Sequence, residues 1–170
     1  MIRTFLIIAS AFAALLPALL QASGAAAQNG ESGLPIPRFV SLRAVEVNMR
    51  TGPGVRYPID WVYQRQGLPV QVVGEYEAWR QIRDSEGTTG WVHRTMLSGR
   101  RTAEINGDID RLLREPRRSA TVAAYVEAGI VGDLMECAQD WCRVAVASHG
   151  VEGWIERRGL WGVMPDEAVR

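Results

Sequence analysis

The sequence predicts an all-β protein. Two small five-stranded barrels stand in tandem behind an N-terminal segment that is not part of the fold. Three observations carry this reading. A pattern recurs about sixty residues on: Trp79 and Trp141 lie 62 apart, and Gly90-Trp91 and Gly153-Trp154 lie 63 apart. Repetition at that period means one structural unit written twice. Between Phe39 and Ser98 no stretch of ten residues has helical spacing, whereas short apolar runs alternate with turn residues. Finally, the first 27 residues read as a leader. The expected organisation is a signal peptide over 1–27, a flexible tether over 28–38, a first barrel over 39–99, a linker over 100–107, a second barrel over 108–163 and a tail over 164–170.

The leader is read from its three zones. Arg3 is the positive end, residues 5–20 are an apolar run with Pro17 near its close, and Ala25-Ala26-Ala27 offers the small residues a signal peptidase needs. Cleavage is expected after Ala27. The apolar run is short for a membrane span of about 20 residues, so no stable membrane insertion is expected after cleavage, and the mature chain is expected to be periplasmic or secreted. Gln28 to Arg38 combines Gly, Ser and Asn with Pro35 and Pro37, which reads as a flexible tether ending in an extended arm.

The first barrel opens with Val45, Val47 and Met49 alternating with Glu46, Asn48 and Arg50, a period of two. Thr51-Gly52-Pro53-Gly54 is a turn; no Gly-Lys-Ser/Thr follows, so it is not a phosphate loop. Residues 60–64 are a second strand and 68–74 a third. Residues 79–83 and 89–93 are a hairpin about the polar turn Asp84-Ser85-Glu86-Gly87. The second barrel repeats this with Arg111-Leu112-Leu113-Arg114-Glu115-Pro116, strands within 125–133, then 141–147 and 151–155.

The two repeats align without a gap from Gly67 to Trp79 and from Gly129 to Trp141. In that register Cys137 replaces Glu75 and Cys142 replaces Arg80. A hairpin that pairs these positions has an ion pair in the first repeat and a disulfide in the second. Export favours the oxidised form, and two cysteines allow one intramolecular connectivity. A metal site is not expected: the cysteines have no second pair, and His93 and His149 stand alone in different repeats.

Composition sets further limits. Formal net charge is zero, which gives no reason to expect nucleic acid as a partner. All 19 basic residues are Arg. Composition alone does not separate a need for guanidinium groups, which bind carboxylates bidentately, from GC-rich coding. Arg94 to Arg118 holds seven Arg against Glu104, Asp108, Asp110 and Glu115, read as a solvated linker surface that is able to touch anionic envelope polymers.

The motifs Val47-Asn48-Met49-Arg50-Thr51-Gly52-Pro53 and Gly90-Trp91-Val92 resemble the bacterial Src-homology-3 pattern. The second repeat keeps Leu113-Arg114-x-Pro116, Trp141-x-x-Val144 and Gly153-Trp154-Ile155, but lacks the Asn and the Gly before Pro. The resemblance covers residues 39–163. It implies small five-stranded SH3-like barrels and a binding or targeting module, often attached to cell-wall hydrolases.

No catalytic residue is assigned and no cofactor is expected. Cys137 and Cys142 read as a disulfide rather than as nucleophiles with His149. Ligand-binding residues are sought in the first repeat. Tyr57, Trp61, Tyr63 and Tyr76 are aromatics in or beside loops and edges, the type that lines peptide grooves in SH3-type domains. For Tyr57 and Trp61, groove and packing stay equal. Arg50 beside the Gly52-Pro53 turn is placed to meet a carboxylate or to pair locally. Trp79, Trp91, Trp141 and Trp154 read as core or hairpin packing. The expected function is a non-enzymatic module that binds a peptidoglycan peptide or another envelope ligand. The alternative is a protein-interaction subunit that docks an envelope protein segment on an open strand edge or across the groove between the barrels, and a cell-wall hydrolase ranks last.

Overall fold

The computed structural model describes residues 28–107 and 109–170. The leader over 1–27 and the expected cleavage after Ala27 lie outside the described residues. Among the described residues the helical pieces are three 3-10 turns, Arg94–Met96, Ala147–His149 and Arg157–Gly159. No helix there is long and apolar enough to cross a membrane.

The strands are β1 (Gln28–Asn29), β2 (Pro35–Ile36), β3 (Arg38–Leu42), β4 (Val47–Arg50), β5 (Ile59–Tyr63), β6 (Pro69–Tyr76), β7 (Trp79–Arg83), β8 (Thr89–His93), β9 (Leu97–Ser98), β10 (Thr102–Ile105), β11 (Ile109–Leu113), β12 (Val122–Glu127), β13 (Val131–Ala138), β14 (Trp141–Val146), β15 (Val151–Glu156) and β16 (Leu160–Trp161). β1 and β2 pair with each other. The rest form two seven-stranded sheets, ordered β5-β4-β8-β7-β6-β3-β9 and β12-β11-β15-β14-β13-β10-β16. Adding seven to every label of the first order yields the second, so the duplication is topological as well as sequential.

Alternation along each strand decides what is inside. Val47 and Met49 of β4, Ile82 of β7 and Val92 of β8 point into the first core; Cys142, Val144 and Val146 of β14 point into the second. Each such aliphatic side chain contributes about 1.5–3 kcal/mol when fully buried. Trp79, Trp91, Trp141 and Trp154 fall on the other phase. They are half-buried on the outer faces and belong to neither core cluster. The recurring tryptophans therefore pack on the hairpins and not in the core. β4 itself begins at Val47, and Val45 is 64% exposed in the preceding bend.

Seven strands per repeat replace the expected five. The additions are β3 with β9, and β10 with β16. β10 occupies the stretch read as a linker, because Ala103 and Ile105 alternate into the second core between two polar ends. The tether is not free either. β1 and β2 make a small hairpin whose Ser32 donates from N and Oγ to the Glu75 carboxylate, both at 2.7 Å, while Glu31 accepts the Glu77 N–H at 2.8 Å. The polar tail also docks. Val169 is buried in the second core, its carbonyl accepts the Cys137 N–H at 3.0 Å, and the Arg101 guanidinium pairs with Glu167.

The expected equivalence across the hairpins holds. Glu75 pairs in register with Arg80, and Cys137 pairs in register with Cys142, to which it is disulfide-bonded. The ion pair differs from expectation in one respect. It is buried: the Glu75 side chain is 1% exposed and takes Arg80 at 3.1 Å and Arg38 at 2.7 Å besides Ser32. The repeats also meet directly. Ser41 Oγ and Thr102 Oγ1 share a buried hydrogen bond of 2.7 Å, Trp161 Nε1 donates to the Pro69 carbonyl at 3.1 Å, and Phe39 meets Trp161 edge to face at 5.0 Å.

Candidate functional site

The residues singled out in the first repeat do not form one groove. Tyr63 is a core residue, 6% exposed, with its hydroxyl donating to Asp84 Oδ2 at 2.9 Å. Burial first, and then the Asp84 carboxylate, push its phenol well above the usual range. It is not available to a ligand, because β5 turns its last residue inward. Arg50 is spent locally, donating to the carbonyls of Val55 and Tyr57 at 3.2 and 2.7 Å, so it fastens the loop between β4 and β5. Tyr57 lies over Gly52, whose missing Cβ would meet the ring at 2.5 Å. Arg56 sits over that ring at 5.2 Å. The Arg56 guanidinium is raised above its ordinary value by the Tyr57 hydrogen bond first and the Tyr57 charge next, with Tyr76 adding a smaller part. Trp61 and Tyr76 are exposed, at 56% and 48%. Arg56 and Tyr57 thus meet in the loop between β4 and β5, Tyr76 ends β6, and Trp61 stands on β5, the outermost strand of its sheet.

A cleft of about 890 Å³ lies elsewhere, in the second repeat. One wall is the loop after β11, with Pro116, Arg117 and Arg118; the other is the β13–β14 turn, with Asp140 and Trp141. Leu160, Val163 and Pro165 add apolar surface. Arg157 builds the far end. Its Nε donates to the Gln139 carbonyl at 3.0 Å, and its Nη1 donates to the carbonyls of Met164 and Glu167 at 2.7 and 2.8 Å. The docked tail is therefore a wall of the cleft. A hollow of about 330 Å³ continues from it and shares Arg118, Trp141, Glu156 and Arg158.

The charges in the cleft are arranged, not scattered. Glu156 receives Arg118 Nε on one oxygen and Arg158 Nε on the other, both at 2.6 Å. The Arg118 hydrogen bond is the main cause that holds this carboxyl below its usual range; partial burial opposes it, and the Arg118 and Arg158 charges add to it. Each guanidinium spends only its Nε there, and both side chains are largely exposed. Their terminal N–H groups face solvent with the fork geometry that suits a second carboxylate. The arginine excess of residues 94–118, which the sequence reads as a solvated linker surface, supplies Arg117 and Arg118 to this cleft. Most of that excess is paired: Arg100 with Asp133, Arg101 with Glu167, Arg117 with Glu115 and Arg118 with Glu156. The signal for the cleft was Pro116 in the place of Pro53 together with the Arg157-Arg158 doublet after the Gly-Trp-Ile run.

Both cysteines are in the disulfide, and among the described residues no three His, Cys, Asp or Glu side chains converge as metal ligands. His93 stacks edge to face on Trp79 at 5.4 Å and caps the turn at Arg94–Met96; His149 is exposed beside Ser148.

The profile of the bacterial SH3 domain matches residues 43–99 and again residues 108–162. The chain belongs to the bacterial SH3 domain family. No curated protein matches it. Among solved structures, this tandem of bacterial SH3 domains is similar to NlpC1 from Trichomonas vaginalis at 16% identity and a TM-score of 0.36, covering 86% of this chain and 50% of that one. It is similar to NlpC2 from the same organism at 15% and 0.34, covering 74% and 48%. An NlpC/P60 family protein from Bacillus cereus follows at 12% and 0.33, covering 72% and 55%. The tandem therefore spans about half the length of these structures.

Proposed function

We propose that the protein is a non-enzymatic binding module of the cell envelope. In this reading the second-repeat cleft takes an extended peptide that carries a carboxylate, and a cell-wall peptide is the preferred ligand class. The observation that carries it is the pair Arg118 and Arg158, each with free N–H groups, above a floor of Leu160, Val163 and Pro165. A short peptide with apolar and acidic groups matches both surfaces. Asp140 and Asp166 on the same cleft suit an amine on the ligand. The test is retention on purified peptidoglycan. Binding should fall about tenfold or more in an Arg118→Ala/Arg158→Ala protein. Passage of the unaltered protein into the flow-through would sink this reading. Turnover of wall fragments would overturn the non-enzymatic part.

A second reading is docking of an envelope protein segment. It draws on β5, an outermost strand whose Ile59, Trp61 and Val62 are all exposed. Such an edge is able to pair with an added strand. Capture of a protein partner that is lost on Val62→Pro, with peptidoglycan binding absent, would favour it.

A further inference from the structure

β10 leaves part of the β13 edge open. It pairs with β13 over 131–133, and the Arg101 carbonyl adds one bond from the Leu134 N–H at 3.1 Å. Cys137 lies beyond that pairing, and an open edge accepts an added strand. In the first repeat Glu75 likewise lies beyond the pairing of β3 with β6, and Ser32 of the β1–β2 hairpin covers it. In the second repeat the chain after β16 serves instead. Val169 forms an antiparallel bridge with Cys137, and its side chain enters the second core.

Between β16 and Val169 the segment is held at a few points. The Glu167 carboxylate pairs with the Arg101 guanidinium and accepts the Met164 N–H at 3.1 Å. Burial alone would raise this carboxyl; the hydrogen bonds from Arg101 and Met164 and the charges of Arg101 and Arg157 outweigh it and hold it below its usual range. Arg101 Nη2 also donates to the Gly162 carbonyl at 2.8 Å. Pro165, Asp166 and Ala168 are exposed. Pro165 and Asp166 line both the arginine-lined cleft and a second hollow of about 380 Å³ beside Cys137. They form a thin wall, whereas Glu167 and Val169, which fasten it, line no part of the cleft.

We propose that residues 163–169 are a clasp that completes the cleft, with Glu167 and Val169 as positioning residues for its ligand. The proposal rests on the peptide reading of that cleft. With the clasp docked, Val163, Pro165 and Asp166 meet the ligand. With it released, Arg118 and Arg158 remain but that wall is gone. A ligand that touches the wall binds the docked state better, so ligand and clasp favour each other by one and the same factor.

The probe is a mixture of soluble fragments released from purified peptidoglycan. Hydrogen exchange at the Cys137 amide, which donates to the Val169 carbonyl, reports clasp docking. Val169→Asn should speed that exchange and weaken fragment binding about fivefold or more, with Arg118 and Arg158 in place. Glu167→Ala serves if that protein does not fold; it removes a negative charge, so weaker binding of a carboxylate there is not an electrostatic loss. In the unaltered protein, saturating fragments should slow Cys137 exchange by a similar factor, which a merely structural tail would not do. Fragments that bind without slowing it, or that bind equally well to a variant with the clasp released, would overturn the clasp alone. Fragments that do not bind the unaltered protein would overturn the peptide reading and the clasp with it.

Discussion

Glu75 shows how much one side chain organises. Its carboxylate is buried under Ser32, Arg38 and Arg80. Burial alone raises such a group; the Ser32 hydrogen bonds, then Arg38 and Arg80, outweigh it and lower the carboxyl from an ordinary 4.5 to about 2. A depressed value stabilises the fold above the ordinary pKa, and the contribution is lost as pH falls from about 4.5 toward about 2. The shift corresponds to roughly 3 kcal/mol. Glu75→Gln should flatten the pH dependence of urea unfolding across that window. At neutral pH it should cost about 3 kcal/mol, since Arg38 and Arg80 lose their counter-charge. An unaltered acid limb in the variant would remove this account. Sequence alignment placed Glu75 opposite Arg80 but not under cover, because the covering serine comes from a stretch whose composition reads as tether. Tyr63 was misplaced for a related reason. An aromatic at a strand end is compatible with groove or core, and only Asp84, 21 residues on, decides between them.

At the level of the hairpin, the disulfide and the ion pair are alternative ways to close the same tip. The Cys137–Cys142 bond closes a loop of about six residues, for which the chain-entropy model yields roughly 2 kcal/mol. Reduction, or a Cys137→Ser/Cys142→Ser change, should lower the melting temperature of the protein. An identical melt after complete reduction, checked by thiol titration, would defeat this. Strands with strong alternation or a Gly-bearing turn were legible from sequence: β7 and β8 carry the bounds read from their residues. Short strands were not. β9 and β16 have two residues each, and β10 has its two core side chains between arginines and an Asn-Gly turn. Their pairing is dictated by partners far along the chain, which no local pattern announces.

The whole molecule joins its two repeats by direct contact. Trp161 takes part in that contact, against Phe39 and the Pro69 carbonyl. The next residue is fixed as glycine by geometry: Gly162 has φ +119° and a Cβ there would run into the Thr102 carbonyl. Trp161→Ala should cost about 3 kcal/mol and split a single unfolding transition into two, read by urea titration with fluorescence and far-UV circular dichroism together. One undivided transition in the variant would show that the repeats couple by another route. The duplication itself was plain from the spacing of tryptophans, whereas the seam was not, since it joins side chains from both ends of the sequence. The β1–β2 hairpin has a practical consequence for anyone who dissects the protein. A fragment trimmed to the start of the repeat near Phe39 would leave an acid group stripped of its lid. Such a fragment would be judged unstable by nature when the fault lay in where it was cut.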